Sequence, residues 1–159
     1  MLKGIVKIDK VLNDFLEQFE CTARLSTDFG YYHTENLITY ALVEAETSKT
    51  SFMQSIERLK PNVTADVFLW SLLHEIGHHE TMDYMTDKQE QTSNKIKNEI
   101  MKHKRPTSDY YNAPDEKLAT TWAVEYAETH ADELANFWNK VQKAIMDFYK
   151  LNNIEREEN

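Results

Sequence analysis

Apolar residues recur at three- and four-residue steps over most of the chain, and the elements follow from where that rhythm starts, stops or changes. Ile8, Val11, Leu12, Phe15, Leu16 and Phe19 predict an amphipathic first helix from about Val6 to Phe19. From Arg24 to about Glu46 the texture turns aromatic and β-branched, with Phe29, Tyr31, Tyr32, Ile38, Thr39, Tyr40 and Val43, which predicts a small antiparallel sheet with a turn near Asn36. Ser48 or Thr50 is placed to cap a short helix through Phe52, Met53, Ile56 and Leu59, and Pro61-Asn62 ends it. With Thr64 as its expected N-cap, a further helix carries Val67, Leu69, Leu72, Leu73 and Ile76.

A polar stretch from Thr86 to Ser93 follows, then Ile96, Ile100 and Met101 mark a charged helix to about His103. Arg105 to Pro114, with two prolines and no periodicity, reads as a loop. Pro114 suits the first turn of the next helix, expected from Asp115 to about His130. A last helix through Leu134, Phe137, Trp138, Val141, Ile145, Phe148 and Leu151 closes the pattern, and residues 155–159 are expected to fray. Trp70, Trp122 and Trp138 sit at helical spacing among aliphatic residues, as core side chains do. With 159 residues the chain fits one domain, over 1–154. Only three glycines and three prolines occur, so the fold class expected is helix-rich α+β.

Charge and cysteine usage narrow the function. A net charge of -9 argues against nucleic acid as a partner. The nearest basic segment, Lys95 to Arg105 with Lys97, Lys102, His103 and Lys104, reads as a solvated helix face. Cys21 is the only cysteine, which excludes an intramolecular disulfide and a thiolate metal cluster and makes a reducing cytoplasm the simplest compartment. No basic-then-apolar leader and no run of about 20 apolar residues is present, so no membrane span is expected.

The candidate chemistry lies at the end of the apolar run Val67 to Leu73, in His74-Glu75-Ile76-Gly77-His78. Histidines at i and i+4 share one helix face and can reach a single metal ion. Zinc with three protein ligands keeps a position open for water, whose pKa falls to about 7, and Glu75 stands beside the histidines as the carboxylate that takes the proton. Gly77 is a poor helix former, costing about 1 kcal/mol against alanine, so another backbone is expected to pass close to it.

A third ligand is required. The position six residues after His78 holds Tyr84 and position 81 is not glycine, so the metzincin arrangement is absent. His79 points about 100° around the helix from His78 and is read as supporting or surface. Two downstream glutamates, twelve residues apart, satisfy the alternative of a carboxylate on a second helix. Glu116 opens its helix and is followed by Ala119, Thr120 and Ala123, on a small-residue face that continues to Ala127. Glu128 is followed by Ala131, Asp132 and Ala135, and Asp132 is the kind of residue that supports a ligand histidine.

On the residues His74 to His78 and Glu116 to Ala123, about a tenth of the chain, the sequence resembles the gluzincin type of zinc metallopeptidase, and is similar to the ImmA/IrrE-type metallopeptidases of mobile elements. The resemblance implies a zincin-like fold with a small sheet over the active-site helix, zinc on His74, His78 and Glu116, and Glu75 as general base. Thr120 departs from the Asn or Asp common four residues after that ligand, which keeps Glu128 as the alternative.

Amide hydrolysis also needs a donor for the developing oxyanion. Tyr111, with its neighbour Tyr110, is the candidate, because the pair precedes the ligand helix; His33 and His130 are further residues able to touch a cleft. Leu37 to Val43 is either the edge strand that receives an extended substrate or an ordinary core strand. The function expected is zinc-dependent hydrolysis of a peptide bond in an intracellular protein substrate. The competing expectation is a catalytically inactive zincin-like protein of a phage or mobile element that acts by sequestering a partner.

Overall fold

The structure, a computed structural model, describes residues 4–42 and 46–152, with the backbone alone at 46–49. Val43 and the tail 155–159 lie outside the described residues. Among the described residues there are six helices and a small sheet, in the order α1 (Ile5–Leu16), β1 (Thr22–Leu25), β2 (Gly30–Tyr32), β3 (Leu37–Tyr40), α2 (Glu46–Arg58), α3 (Val67–Thr81), α4 (Asp87–Met101), α5 (Pro114–Thr129) and α6 (Ala131–Leu151). The helix-rich α+β class read from the sequence is the class observed. Among the described residues no helix is long and apolar enough to cross a membrane.

The sheet differs from expectation. It is mixed rather than antiparallel, in the order β1-β3-β2: β1 runs parallel to β3, pairing Thr22 with Leu37 and Leu25 with Tyr40, while β2 runs antiparallel to it, pairing Gly30 with Thr39. A 3-10 turn at His33–Glu35, with Asn36 left-handed at φ 47°, links β2 to β3, and so short a link makes neighbours antiparallel. β1 takes the other side of β3, with β2 forming part of the connection between them. Leu37–Tyr40 is therefore the central strand, buried at all four positions, and the edge-strand reading of this segment is overturned. The edge toward α3 is β2. On the opposite edge, Ala23 N–H donates to Asn13 Oδ1 of α1 at 2.7 Å.

Three helix boundaries also shift. α3 is capped by Asp66, whose carboxylate accepts from Phe68 N–H at 2.8 Å, not by Thr64; a carboxylate also suits the positive end of the helix. α4 begins two turns before the apolar rhythm shows, behind a capping box in which Thr86 and Gln89 satisfy each other's backbone N–H groups. Its rhythm is faint because Ile96 is its only buried apolar residue. Ser48 and Thr50 lie inside α2, whose end is marked by Lys60 in a left-handed conformation, φ 49°, ahead of Pro61. Within the expected loop, Thr107–Asn112 forms a 3-10 turn.

The core joins Ile8, Leu12, Phe15 and Leu16 of α1 to Phe137, Val141, Ile145 and Phe148 of α6, and extends through Ile38 and Tyr40 to Leu69, Trp70, Leu72, Leu73 and Ile76 of α3. Trp70 is buried, whereas Trp122 and Trp138 flank the core half-buried. Cys21 is a buried thiol, and burial pushes its pKa up to about 11.

Candidate metal centre

α3 carries a wide apolar face into the core and turns His74, Glu75 and His78 toward a cleft beneath β2. What lets α5 approach is the small-residue match foreseen from Gly77 and the alanines. A Cβ at Gly77 would stand 2.4 Å from the carbonyl oxygen of Ala119 and 2.9 Å from its Cα. The two backbones touch there, and one turn before Ala119 is Glu116.

The imidazoles converge on that carboxylate. His74 Nε2 lies 2.8 Å and His78 Nε2 2.9 Å from the same atom, Glu116 Oε2. Glu116 and His74 are buried; His78 keeps 19% of its side chain exposed on the cleft side. The structure thus brings His74, His78 and Glu116 together, their ligand atoms all within 4.8 Å of one another. Glu128 and Asp132 are exposed and stand outside the cluster.

The proton inventory decides what the cluster can hold. Thr120 has one hydroxyl hydrogen, and it goes to the Glu116 carbonyl at 2.8 Å. Its oxygen, 3.1 Å from His74 Nδ1, is therefore the acceptor of that nitrogen's N–H, which leaves Nε2 with a lone pair. A lone pair facing a carboxylate oxygen at 2.8 Å needs a positive charge between them, either a proton or a metal ion. Thr120 does for His74 what an Asn or Asp does at the same position in the expected pattern.

Two imidazole nitrogens and one carboxylate oxygen are a donor set that suits zinc. In a tetrahedral site with bonds of about 2.0–2.1 Å, donors stand about 3.3–3.4 Å apart, so each imidazole nitrogen would need to draw about half an ångström away from Glu116 Oε2. The residues fit such an ion.

Electrostatics couple the group. Burial alone would raise Glu116, but hydrogen bonds and charge from His74 and His78 outweigh it and hold the carboxyl well below the usual range. Burial alone would lower His78, and the Glu116 carboxylate outweighs that and raises it. Glu75 is pushed up by burial, against the partial opposition of the two histidines. Among the described residues no buried side-chain polar atom lacks a hydrogen-bond partner.

The cleft has two adjoining halves of about 500 and 460 Å³, which share Asp28, Phe29, His74, Glu75, Tyr110 and Tyr111. Tyr111 lines both, its ring 5.9 Å from that of His74 and 5.6 Å from Phe52. Tyr110 keeps 37% of its surface exposed, yet desolvation and the nearby Glu116 charge push its phenol above the usual range. His79 is no part of the cluster: its Nδ1 meets the Tyr31 hydroxyl at 2.8 Å and ties β2 to α3. His33 and His130 are exposed and do not line the cleft; His130 stacks on Tyr126 at 4.0 Å.

One residue of the site was hidden in the basic segment. Lys95, Lys102, His103 and Lys104 are exposed, as a solvated face should be, but Lys97 turns inward to Asp115 and Glu116. Its spacing held the signal, because Ser93, Ile96, Lys97 and Ile100 form the inward stripe of α4.

Comparison with known protein families, with curated proteins and with solved structures returned no match.

Proposed function

We propose that the chain is a zinc-dependent metallopeptidase of the gluzincin kind, resembling the ImmA/IrrE-type enzymes, that hydrolyses a peptide bond in a protein substrate. The observation that carries this reading is the convergence of two imidazole nitrogens on one buried carboxylate oxygen, with Glu75 beside them on the cleft wall. Zinc in such a site supplies Lewis acidity toward a carbonyl oxygen and lowers the pKa of water.

The chain's own residues do the rest. Glu75 takes the proton from the attacking water and passes it to the leaving amine, so one carboxylate serves both halves of the reaction. A carboxyl partly withdrawn from water holds a proton more readily than a solvated one, which favours the delivery half. Tyr111, on the cleft wall against His74, donates to the oxygen that gains charge as the amide becomes tetrahedral. The outer edge of β2, Gly30–Tyr32, receives the substrate as an added strand, in place of the Leu37 to Val43 segment.

Metal content and hydrolysis measured on wild type, His74→Ala, Glu116→Ala, Glu128→Ala and Glu75→Gln test the reading. About one zinc per chain is expected in wild type and in Glu128→Ala, and is lost with His74 or Glu116. Glu75→Gln should keep the metal and lose hydrolysis by about 100-fold or more, the scale of a general base. Undiminished hydrolysis in Glu75→Gln sinks the mechanism. A stoichiometric protein complex that forms equally well in Glu75→Gln, without cleavage by wild type, makes the chain a partner-sequestering protein instead.

A further inference from the structure

The first turn of α5 is held by two residues of α4, one turn apart. Ser93 Oγ accepts the Asp115 N–H at 3.1 Å, a backbone group that Ala113, at the N-cap position, has no side-chain oxygen to satisfy. Lys97 Nζ donates to Asp115 Oδ2 at 2.5 Å and to Glu116 Oε1 at 3.0 Å, with the Tyr110 ring centroid 5.1 Å away. Its side chain is 29% exposed, where the other lysines of the segment extend into solvent.

The two oxygens of Glu116 are thereby divided: Oε2 faces both imidazoles and Oε1 is tied to the ammonium. Rotation about the last torsion of a glutamate is nearly free, so nothing in the side chain itself sets this division. The Tyr110 phenol also hydrogen-bonds Glu116, but among the described residues Lys97 brings the only positive charge on that side; without the ammonium both oxygens can turn to one ion, and the second would fill the position that water and substrate require.

We propose that Lys97 is a positioning residue of the metal centre, restricting Glu116 to ligation through Oε2 alone. The inference rests on the metal-centre reading above. Lys97 is not one of the three converging donors, and acts through the carboxylate it holds. A lysine that merely pins α4 to α5 would have the same ion pairs, so the test must separate orientation from attachment.

Cobalt(II) in place of zinc reports coordination number, since four-coordinate sites absorb visible light strongly and five-coordinate ones weakly. Cobalt spectra would be recorded for wild type, Lys97→Met, Lys97→Arg and Ser93→Ala, with zinc uptake measured in parallel. Wild type, Lys97→Arg and Ser93→Ala should share the intense four-coordinate spectrum, because arginine restores the donor and Ser93 pins the same helices without touching Glu116. Lys97→Met should show the weak five-coordinate spectrum. If Lys97→Met does not fold, Lys97→Gln, which keeps a polar stem without the charge, is expected to give the weak spectrum in its place. A wild-type spectrum in the folded Met or Gln variant overturns the role of Lys97, as does an equal change in Ser93→Ala. Failure of wild type to take up either metal overturns the metal centre itself.

Discussion

Where α3 meets α5, the contact is made by small and polar residues: Gly77 against Ala119, with His74, Glu116 and Thr120 buried beside them. Where α1 meets α6, it is made by large apolar ones. Phe15 stacks on Phe137 at 4.0 Å, and Ile8, Leu12, Val141, Ile145 and Phe148 fill the space around them. At the first contact the two backbones touch and polar groups are buried, so a single added atom must displace backbone; at the second, large apolar side chains contribute hydrophobic stability. One continuous core thus has a close-packed polar contact at α3–α5 and a large apolar one at α1–α6, which substitutions can test separately.

Three substitutions probe that division. Phe137→Ala removes the stacked ring from the apolar half and should cost about 3–5 kcal/mol, read as a fall in the denaturation midpoint. Its folded fraction should still bind metal at wild-type stoichiometry; loss of metal from folded molecules would show that the halves are not separate.

Gly77→Ala adds one methyl group where α3 and α5 touch. The neighbours are backbone atoms that cannot swing aside, so the helices must part, at a cost of about 1–3 kcal/mol. That cost is reduced by up to about 1 kcal/mol of improved helix propensity. Because Ala119 and Glu116 share a helix turn, metal binding should suffer more than stability does, and a variant with normal metal affinity would break the argument.

The smallest effect is expected from Thr120→Val, which keeps the side-chain shape and removes the acceptor of His74 Nδ1–H. Zinc affinity, measured by chelator competition, should fall about tenfold, at the lower end for a lost ligand support. An unchanged affinity would mean that the tautomer of His74 is set by something other than Thr120.

The two regions were unequally legible in the sequence. The α1–α6 half could be read directly, since an apolar stripe at helical spacing reports burial whatever it packs against. The α3–α5 half could be read in its parts: the paired histidines with their glutamate, a glycine in a helix interior, and alanines at 119, 123 and 127. Their assembly could not. Glu116 and Glu128 carry similar local patterns, and nothing local distinguishes a carboxylate buried between two imidazoles from an exposed one. Lys97 was misread for the same reason, because a lysine's surroundings are set by a helix eighteen residues further along the chain.

By itself the sequence determined which segments are helices, which face of each is apolar, and that two histidines and a glutamate share a turn of α3. Each of these depends on interactions within about four residues, which the chain carries wherever it is placed. The tertiary structure alone decided that Leu37–Tyr40 is a central strand and β2 the edge, that Glu116 and not Glu128 meets His74 and His78 across 42 and 38 residues, and that Thr120 contacts His74 while Lys97 contacts Glu116. Those are choices among partners distant in sequence, and they are made by which surfaces can close without a clash or an unpaired charge.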